Sequence, residues 1–134
     1  MQSSVEAIAQ RFIEAFNDRD AERLLALMDP AIEFHPTGLV GQRRQYDGHE
    51  GVRQWMGELE SGPSRHQVRI REVRPTEDGF ALLSEVLLDG ELVSPSAMVA
   101  RFGADGKIVE ARAFLSDEEM LLHLGLIEDP KEGV

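Results

Sequence analysis

Asp29-Pro30-Ala31-Ile32-Glu33-Phe34-His35-Pro36-Thr37-Gly38 is the stretch on which the fold turns. It follows two short amphipathic helical patterns and reads as a strand. Residues two apart in a strand point the same way, so Glu33 and His35 share one face while Ile32 and Phe34 share the other. Two proton-active side chains on one face make a catalytic pair if that face looks into the protein and a solvated pair if it looks out. The residues alone leave both readings open.

Upstream, Val5, Ile8, Ala9, Phe12, Ile13 and Phe16 keep the three-four spacing of one apolar helical stripe. Ser3 with Glu6 makes a capping box at its start, and Asn17-Asp18 closes it. A second helix is expected from Asp20 to Met28, with Leu24, Leu27 and Met28 inward. Pro30 ends it, because the residue before a proline is pushed out of helical geometry. Downstream, Asp47 and Glu50 flank the start of a third helix with Val52, Trp55, Met56 and Leu59 on its apolar face, stopped by Gly62-Pro63.

The remainder alternates like sheet. Val68, Ile70 and Val73 lie in a first run bounded by Thr76-Glu77-Asp78-Gly79, and Phe80 to Leu88 forms a second. After the hairpin signal Asp89-Gly90 comes Leu92 to Phe102, and after Ala104-Asp105-Gly106 comes Lys107 to Leu115. A last helix starts at Ser116, capped through Glu119, with Met120, Leu121 and Leu124 as its stripe and Gly125 at its end. Residues 1–127 read as a single domain and 128–134 as a flexible acidic tail. Three helices around one early strand, then a four-strand antiparallel meander, define an α+β fold.

In the second sheet run, Phe80, Leu82, Ser84, Val86 and Leu88 alternate with Ala81, Leu83, Glu85 and Leu87. Both sets are largely apolar, so neither face simply meets water. One packs under the helices. The other, which includes Leu83, Leu87, Val99 and Phe114, needs a cover, and a second copy of the chain is the simplest one. The expectation is a homodimer through the outer sheet face.

The 134 residues include six phenylalanines, one tyrosine and one tryptophan, enough for a moderate core. The net charge of −11 argues against nucleic acid or an anionic membrane as partner. No window reaches the length of a membrane span, and the N-terminus lacks the basic-then-apolar pattern of a signal peptide. With no cysteine there is no disulfide framework, thiolate nucleophile or thiolate metal site, which fits a reducing cytoplasm. There is no Gly-rich phosphate loop and no Gly-x-Ser-x-Gly elbow. Glu33, His35 and His49 come from one short strand and a separate helix start, so neither metal nor cofactor is expected.

Several motifs in order carry a resemblance: Phe12-Ile13-Glu14-Ala15-Phe16-Asn17 followed by Asp20, Leu27-Met28-Asp29-Pro30-Ala31, His35-Pro36-Thr37-Gly38, Tyr46-Asp47-Gly48-His49-Glu50-Gly51-Val52, and Arg101-Phe102 with Asp105-Gly106-Lys107-Ile108. Over residues 5–116 the chain resembles the nuclear-transport-factor-2-like superfamily, in its SnoaL-like and ketosteroid-isomerase-like branch. The resemblance implies a cone, a cystatin-like α+β roll. A strongly curved antiparallel sheet wraps a pocket closed by three N-terminal helices, and many members dimerise through the sheet. It also implies that His35 occupies the position of the isomerase carboxylate base. Phe12 stands where those enzymes have a tyrosine, and Met98 where they have a protonated aspartate. Both donors that would hold a dienolate are absent, so ordinary ketosteroid isomerase chemistry is not expected.

Within that frame His35 is the candidate proton carrier, since an imidazole exchanges protons near neutral pH, and Glu33 is the group that orients it. The plainer alternative is a histidine that only hydrogen-bonds a neighbour. Tyr46 offers its hydroxyl to a ligand or packs its ring on the third helix. Phe12, Phe16, Trp55, Met56, Leu82, Met98 and Leu115 are expected on the pocket wall, with Ser84 and Ser96 as hydroxyl donors or as residues satisfied on backbone carbonyls. Arg112 reads as outward beside Glu110 and Phe114. Arg43 and Arg44 either steer an anionic ligand or are solvated. His66 reads only as a strand start and His123 as an exposed helix residue. Two functions follow. One is a small cofactor-free isomerase, cyclase, dehydratase or hydrolase acting on a small hydrophobic or polyketide- or steroid-like molecule. The other is a non-catalytic small-molecule-binding or dimerisation module.

Overall fold

The computed structural model describes residues 4–36, 45–62 and 65–124, and in it the first apolar stripe forms α1 (Ser4–Asn17), which buries Ala9, Phe12, Ile13 and Phe16. Asp20 caps the short α2 (Ala21–Leu25) by accepting from the Arg23 amide. The second helix is therefore shorter than the expected Asp20–Met28. Met28 instead opens β1 (Met28–His35), because the Leu27 carbonyl accepts from the Ile108 amide at 2.9 Å and Met28 pairs with Ile108. Pro30 likewise lies inside a strand rather than ending a helix. It falls in a break where the pairing jumps from Met28↔Ile108 to Glu33↔Glu110. A proline there removes no ladder bond.

The remaining elements are β2 (Tyr46–Asp47), α3 (Gly48–Ser61), β3 (His66–Thr76), β4 (Gly79–Leu88), β5 (Glu91–Phe102), β6 (Ile108–Phe114) and α4 (Asp117–Leu124). The strands form one sheet in the order β2-β1-β6-β5-β4-β3. Every pair is antiparallel except β1 with β6, which run parallel, so the early strand joins the far edge of the meander. Register shifts in four of these ladders bend the sheet into its curved shape. Asp89 and Gly90 take φ of 52° and 87°, the left-handed pair that a two-residue hairpin demands. The Ser116 hydroxyl accepts from the Glu119 amide at 3.1 Å, the cap expected for α4.

The two sheet faces separate as the alternation requires. Phe80, Leu82, Met98 and Ala100 join the main core with α1, α3 and β1. Ala81, Leu83 and Ala97 form a second, smaller core on the outer face. α4 supplies part of its cover: Met120 is buried against it, with Leu121 and Leu124 beside. Val99 and Phe114 stay half-buried at its margin. Ser3, Pro63, Gly125 and the 128–134 tail lie outside the described residues.

One close approach fixes how tightly β4 and β5 pair. A Cβ added at Gly79 would sit 1.8 Å from the Ala100 carbonyl oxygen, so the strands would have to part. Gly79→Ala is expected to destabilise the protein by about 1–3 kcal/mol, the usual range for overpacking. Urea unfolding checks this, and an unchanged midpoint would mean that the strands are not so closely apposed.

Candidate functional site

The inner face of the sheet, α1 and α3 line a half-open cavity of about 100 Å³. Of the residues expected on its wall, Phe12, Phe16, Trp55, Leu82, Ser84, Ser96 and Met98 line it. Trp55 holds the helical side together. Its ring stacks on Phe16 with centroids 5.3 Å apart and tilts against Phe34 at 4.5 Å. Three elements, α1, α3 and β1, thus meet on one indole, and each such aromatic pair is worth roughly 0.5–1.5 kcal/mol beyond its buried area.

The hydroxyls of Ser84 and Ser96 face each other across the β4–β5 pair, 2.8 Å apart, and Ser84 Oγ also donates to the Ser96 carbonyl at 3.2 Å. The Ser84 hydroxyl thus meets both the hydroxyl and the carbonyl of Ser96. Trp55 differs: its Nε1 is shut away from solvent and has no hydrogen-bond partner among the described residues.

Sequence reasoning missed His66. It does begin β3, but it is also buried and lines the cavity. Arg19 anchors this end of the strand. Its backbone takes φ 55°, and its guanidinium lies over the Phe16 ring, 4.6 Å from the centroid. That guanidinium donates to the Phe16 carbonyl at 2.8 Å and the His66 carbonyl at 2.7 Å. Burial first, and then the Arg19 charge, push the His66 imidazole below its ordinary value of 6.5. Its Nε2 is buried with no partner among the described residues. Ile13, Phe34, Pro36, Leu59, Val68, Val86 and Ala113 also line the cavity without having been singled out. For Phe34, at the end of β1, with Pro36 just beyond it, and for Val86 with Leu82 in β4, the signal was present only as alternation.

The pair Glu33 and His35 stands elsewhere. Phe34 and Pro36 line the cavity, so the residues between and before them point to the other face of β1. There Glu33 is 55 % exposed while the His35 side chain is 13 % exposed, with 3.9 Å between Glu33 Oε2 and His35 Nε2. Glu110 and Arg112 of β6 are their register neighbours, and Glu110 also meets Arg101 Nε at 3.2 Å. Arg112 is outward, as the sequence register had it. Glu33, His35 and Glu110 each bring a ligand atom within 4.8 Å of the others. The Glu110 carboxylate is already paired with Arg101 and Arg112, whose positive charge opposes a cation.

Three further residues expected at the pocket take other places. Tyr46 is buried and its hydroxyl donates to Glu58 of α3, so its ring packs on that helix rather than on the cavity. Met56 belongs to the core behind the wall. Leu115 follows the end of β6, half-buried, and is absent from the lining. His49 pairs with the Met28 carbonyl at 3.0 Å, and His123 lies against Phe114. Arg43 and Arg44 lie outside the described residues. Among those described, no helix is long and apolar enough to cross a membrane.

Comparison with known proteins agrees with this architecture. The family model of the SnoaL-like domain matches residues 9–111. No curated protein matches the sequence. Among solved structures, an NTF2-like protein of unknown function from Burkholderia pseudomallei K96243 superposes with a TM-score of 0.72 at 20 % identity, covering 90 % of this chain and 97 % of its own. RV0760c from Mycobacterium tuberculosis, in complex with estradiol-17beta-hemisuccinate, gives 0.66 at 20 % identity over 87 % and 97 %. A computationally designed 17-OHP binder gives 0.70 at 19 % identity over 88 % and 95 %.

The lowered affinity of His66 for its proton has a consequence for stability. Below about pH 6.5 the unfolded chain takes up a proton at this position that the folded chain resists. Stability from His66 is therefore fully present above that value and falls as pH drops through the window beneath it. His66→Gln is expected to show a shallower decline of the thermal midpoint between about pH 7 and about pH 5.5 than the parent. Identical slopes would mean that the fold does not oppose protonation of His66.

Proposed function

The chain belongs to the SnoaL-like domain family, and on that premise we propose that it is a small-molecule-binding member whose cavity holds a small hydrophobic ligand. The observation that carries this reading is the cavity wall itself. It is carbon nearly throughout, interrupted by Trp55, His66 and the Ser84–Ser96 pair. A mainly apolar concavity with a few polar groups is the usual make-up of a ligand site. The RV0760c complex with estradiol-17beta-hemisuccinate and the designed 17-OHP binder support it, since both are small-molecule complexes or binders on the same fold. Binding is favoured over proton transfer by His35, because His35 and Glu33 lie across β1 from the cavity.

We place the protein in the cytoplasm, where a chain without cysteine needs no protection from reduction. A homodimer through the outer sheet face belongs to the same proposal. Val99 and Phe114 remain half-buried there after α4 has docked, and the Glu33, His35, Glu110 and Arg112 group borders them.

A thermal-shift screen with small apolar molecules tests the binding reading. A ligand at about a hundred times its Kd should add about 2.7 kcal/mol of stability. Val86→Phe, which fills the cavity, should abolish the shift while the protein remains folded. No shift with any member of a broad panel, or a shift that survives in Val86→Phe, would sink it. Sedimentation velocity addresses the dimer separately. A dimer at micromolar concentration that Val99→Arg converts to monomer is expected, and a monomeric parent would remove that part of the proposal.

A further inference from the structure

The turn after α1 holds a backbone strain that a different residue would relieve. The Asp20 amide donates to the Ala15 carbonyl at 2.9 Å and the Arg19 amide to the Phe16 carbonyl at 3.0 Å. This nested pair of bonds ends a helix through one residue in the left-handed region, and glycine is its usual occupant because a Cβ is disfavoured there. Here the residue is Arg19, at φ 55°. Asp89, the other non-glycine residue with positive φ among those described, is accounted for by its hairpin turn. Arg19 has no such account in the backbone, since glycine would close the helix at less cost. A strained residue that the backbone does not require directs attention to its side chain.

That side chain grips both sides of the cavity. Its guanidinium lies 4.6 Å from the centroid of the Phe16 ring, and its two terminal nitrogens donate to the Phe16 carbonyl at 2.8 Å and the His66 carbonyl at 2.7 Å. Phe16 of α1 and His66 of β3 both line the cavity. A planar fork can hold two carbonyls at once in a fixed geometry, which a lysine ammonium on its flexible stem does not reproduce. The charge acts as well. After burial, Arg19 is the main group opposing protonation of His66, while Asp89 acts in the opposite sense. Arg65 and Glu60 are the charged groups that bear on Arg19 itself. From the strained placement and the shared grip we infer that Arg19 is the positioning residue of the cavity, fixing Phe16 and His66 as the facing parts of the wall that a ligand meets. This rests on the reading of the cavity as a ligand site.

Arg19→Gly separates closing the helix from holding the wall, because glycine suits the helix end and lacks the grip. The imidazole signal of His66, identified by its loss in His66→Gln, should then titrate at a higher pH than in the parent. Toluene serves as the cavity probe, read by the shift of the Met98 methyl on the wall. It should bind about tenfold more weakly to Arg19→Gly, because a wall no longer held in place must be ordered on binding. Arg19→Lys keeps the charge and gives up the fork, so it should restore most of the His66 midpoint and little of the toluene affinity. If Arg19 only closed α1, Arg19→Gly would raise the thermal midpoint and leave the His66 titration and the toluene affinity unchanged; that result would overturn the inference. So would an Arg19→Lys protein whose His66 midpoint matches that of Arg19→Gly. Toluene that leaves the Met98 methyl unmoved in the parent would count against the ligand reading. The His66 titration needs no ligand, and an unchanged midpoint in Arg19→Gly would count against Arg19 on its own.

Discussion

The parallel pairing of β1 with β6 is the constraint on which the rest of the structure depends. It begins where the Leu27 carbonyl accepts from the Ile108 amide and Lys107 Nζ donates to the Ala26 carbonyl at 2.7 Å. Those bonds end α2 and start the strand. The ladder then breaks and resumes at Glu33↔Glu110, and the break contains Pro30. Beyond it Ile32 and Phe34 are buried and Glu33 is not. A slip by one residue would turn His35 into the cavity and Phe34 out of it. It would also separate Phe34 from Trp55, one of the contacts through which β1 holds α3.

This is where sequence reasoning ran out. The helical stripes, the Asp89-Gly90 turn and the inward set Leu82, Ser84, Ser96 and Met98 were legible, because each is a local pattern whose period is set by its own backbone. The face of β1 was not. Alternation shows which residues share a side and is silent about which side is the interior. Here the two answers had nearly equal claims, with Ile32 and Phe34 on one face and a family-positioned histidine on the other. The burial of two large apolar side chains outweighs that of an imidazole and a carboxylate, which would have to be desolvated and paired. Pro30 was misread for a related reason: its effect on the chain before it is local, but its tolerance in a strand depends on a gap in the partner ladder.

His66 was hidden differently. Nothing in the Pro63-Ser64-Arg65-His66 neighbourhood separates a strand-opening surface histidine from a buried one. The deciding contacts come from the end of α1 and the turn after it, where Asn17 bonds the amide and carbonyl of Val68 at 2.8 and 2.9 Å and Arg19 holds the carbonyl of His66. These are side chains some fifty positions away clasping the first residues of β3. They work because the helix ends with polar residues that an apolar stripe alone would not place. The same clasp brings the strand end under Phe16 and so extends the cavity wall to the sheet edge.

The outcome is a division of labour between the sheet faces. The proton-active pair on β1, Glu33 and His35, joins Glu110, Arg112 and Arg101 in a charged group beside the outer apolar patch. A mixed-sign cluster bordering an apolar surface has the make-up of an interface rim, where charges set register and hydrophobic area supplies the attraction. Among the described residues that line the cavity, His66 is the titratable group, and burial together with Arg19 shifts it toward its neutral form. An imidazole already resisting its proton is a better acceptor of a hydrogen bond than a store of protons. The geometry that takes His35 across β1 from the cavity thus leaves His66 as the titratable side chain on the described cavity wall.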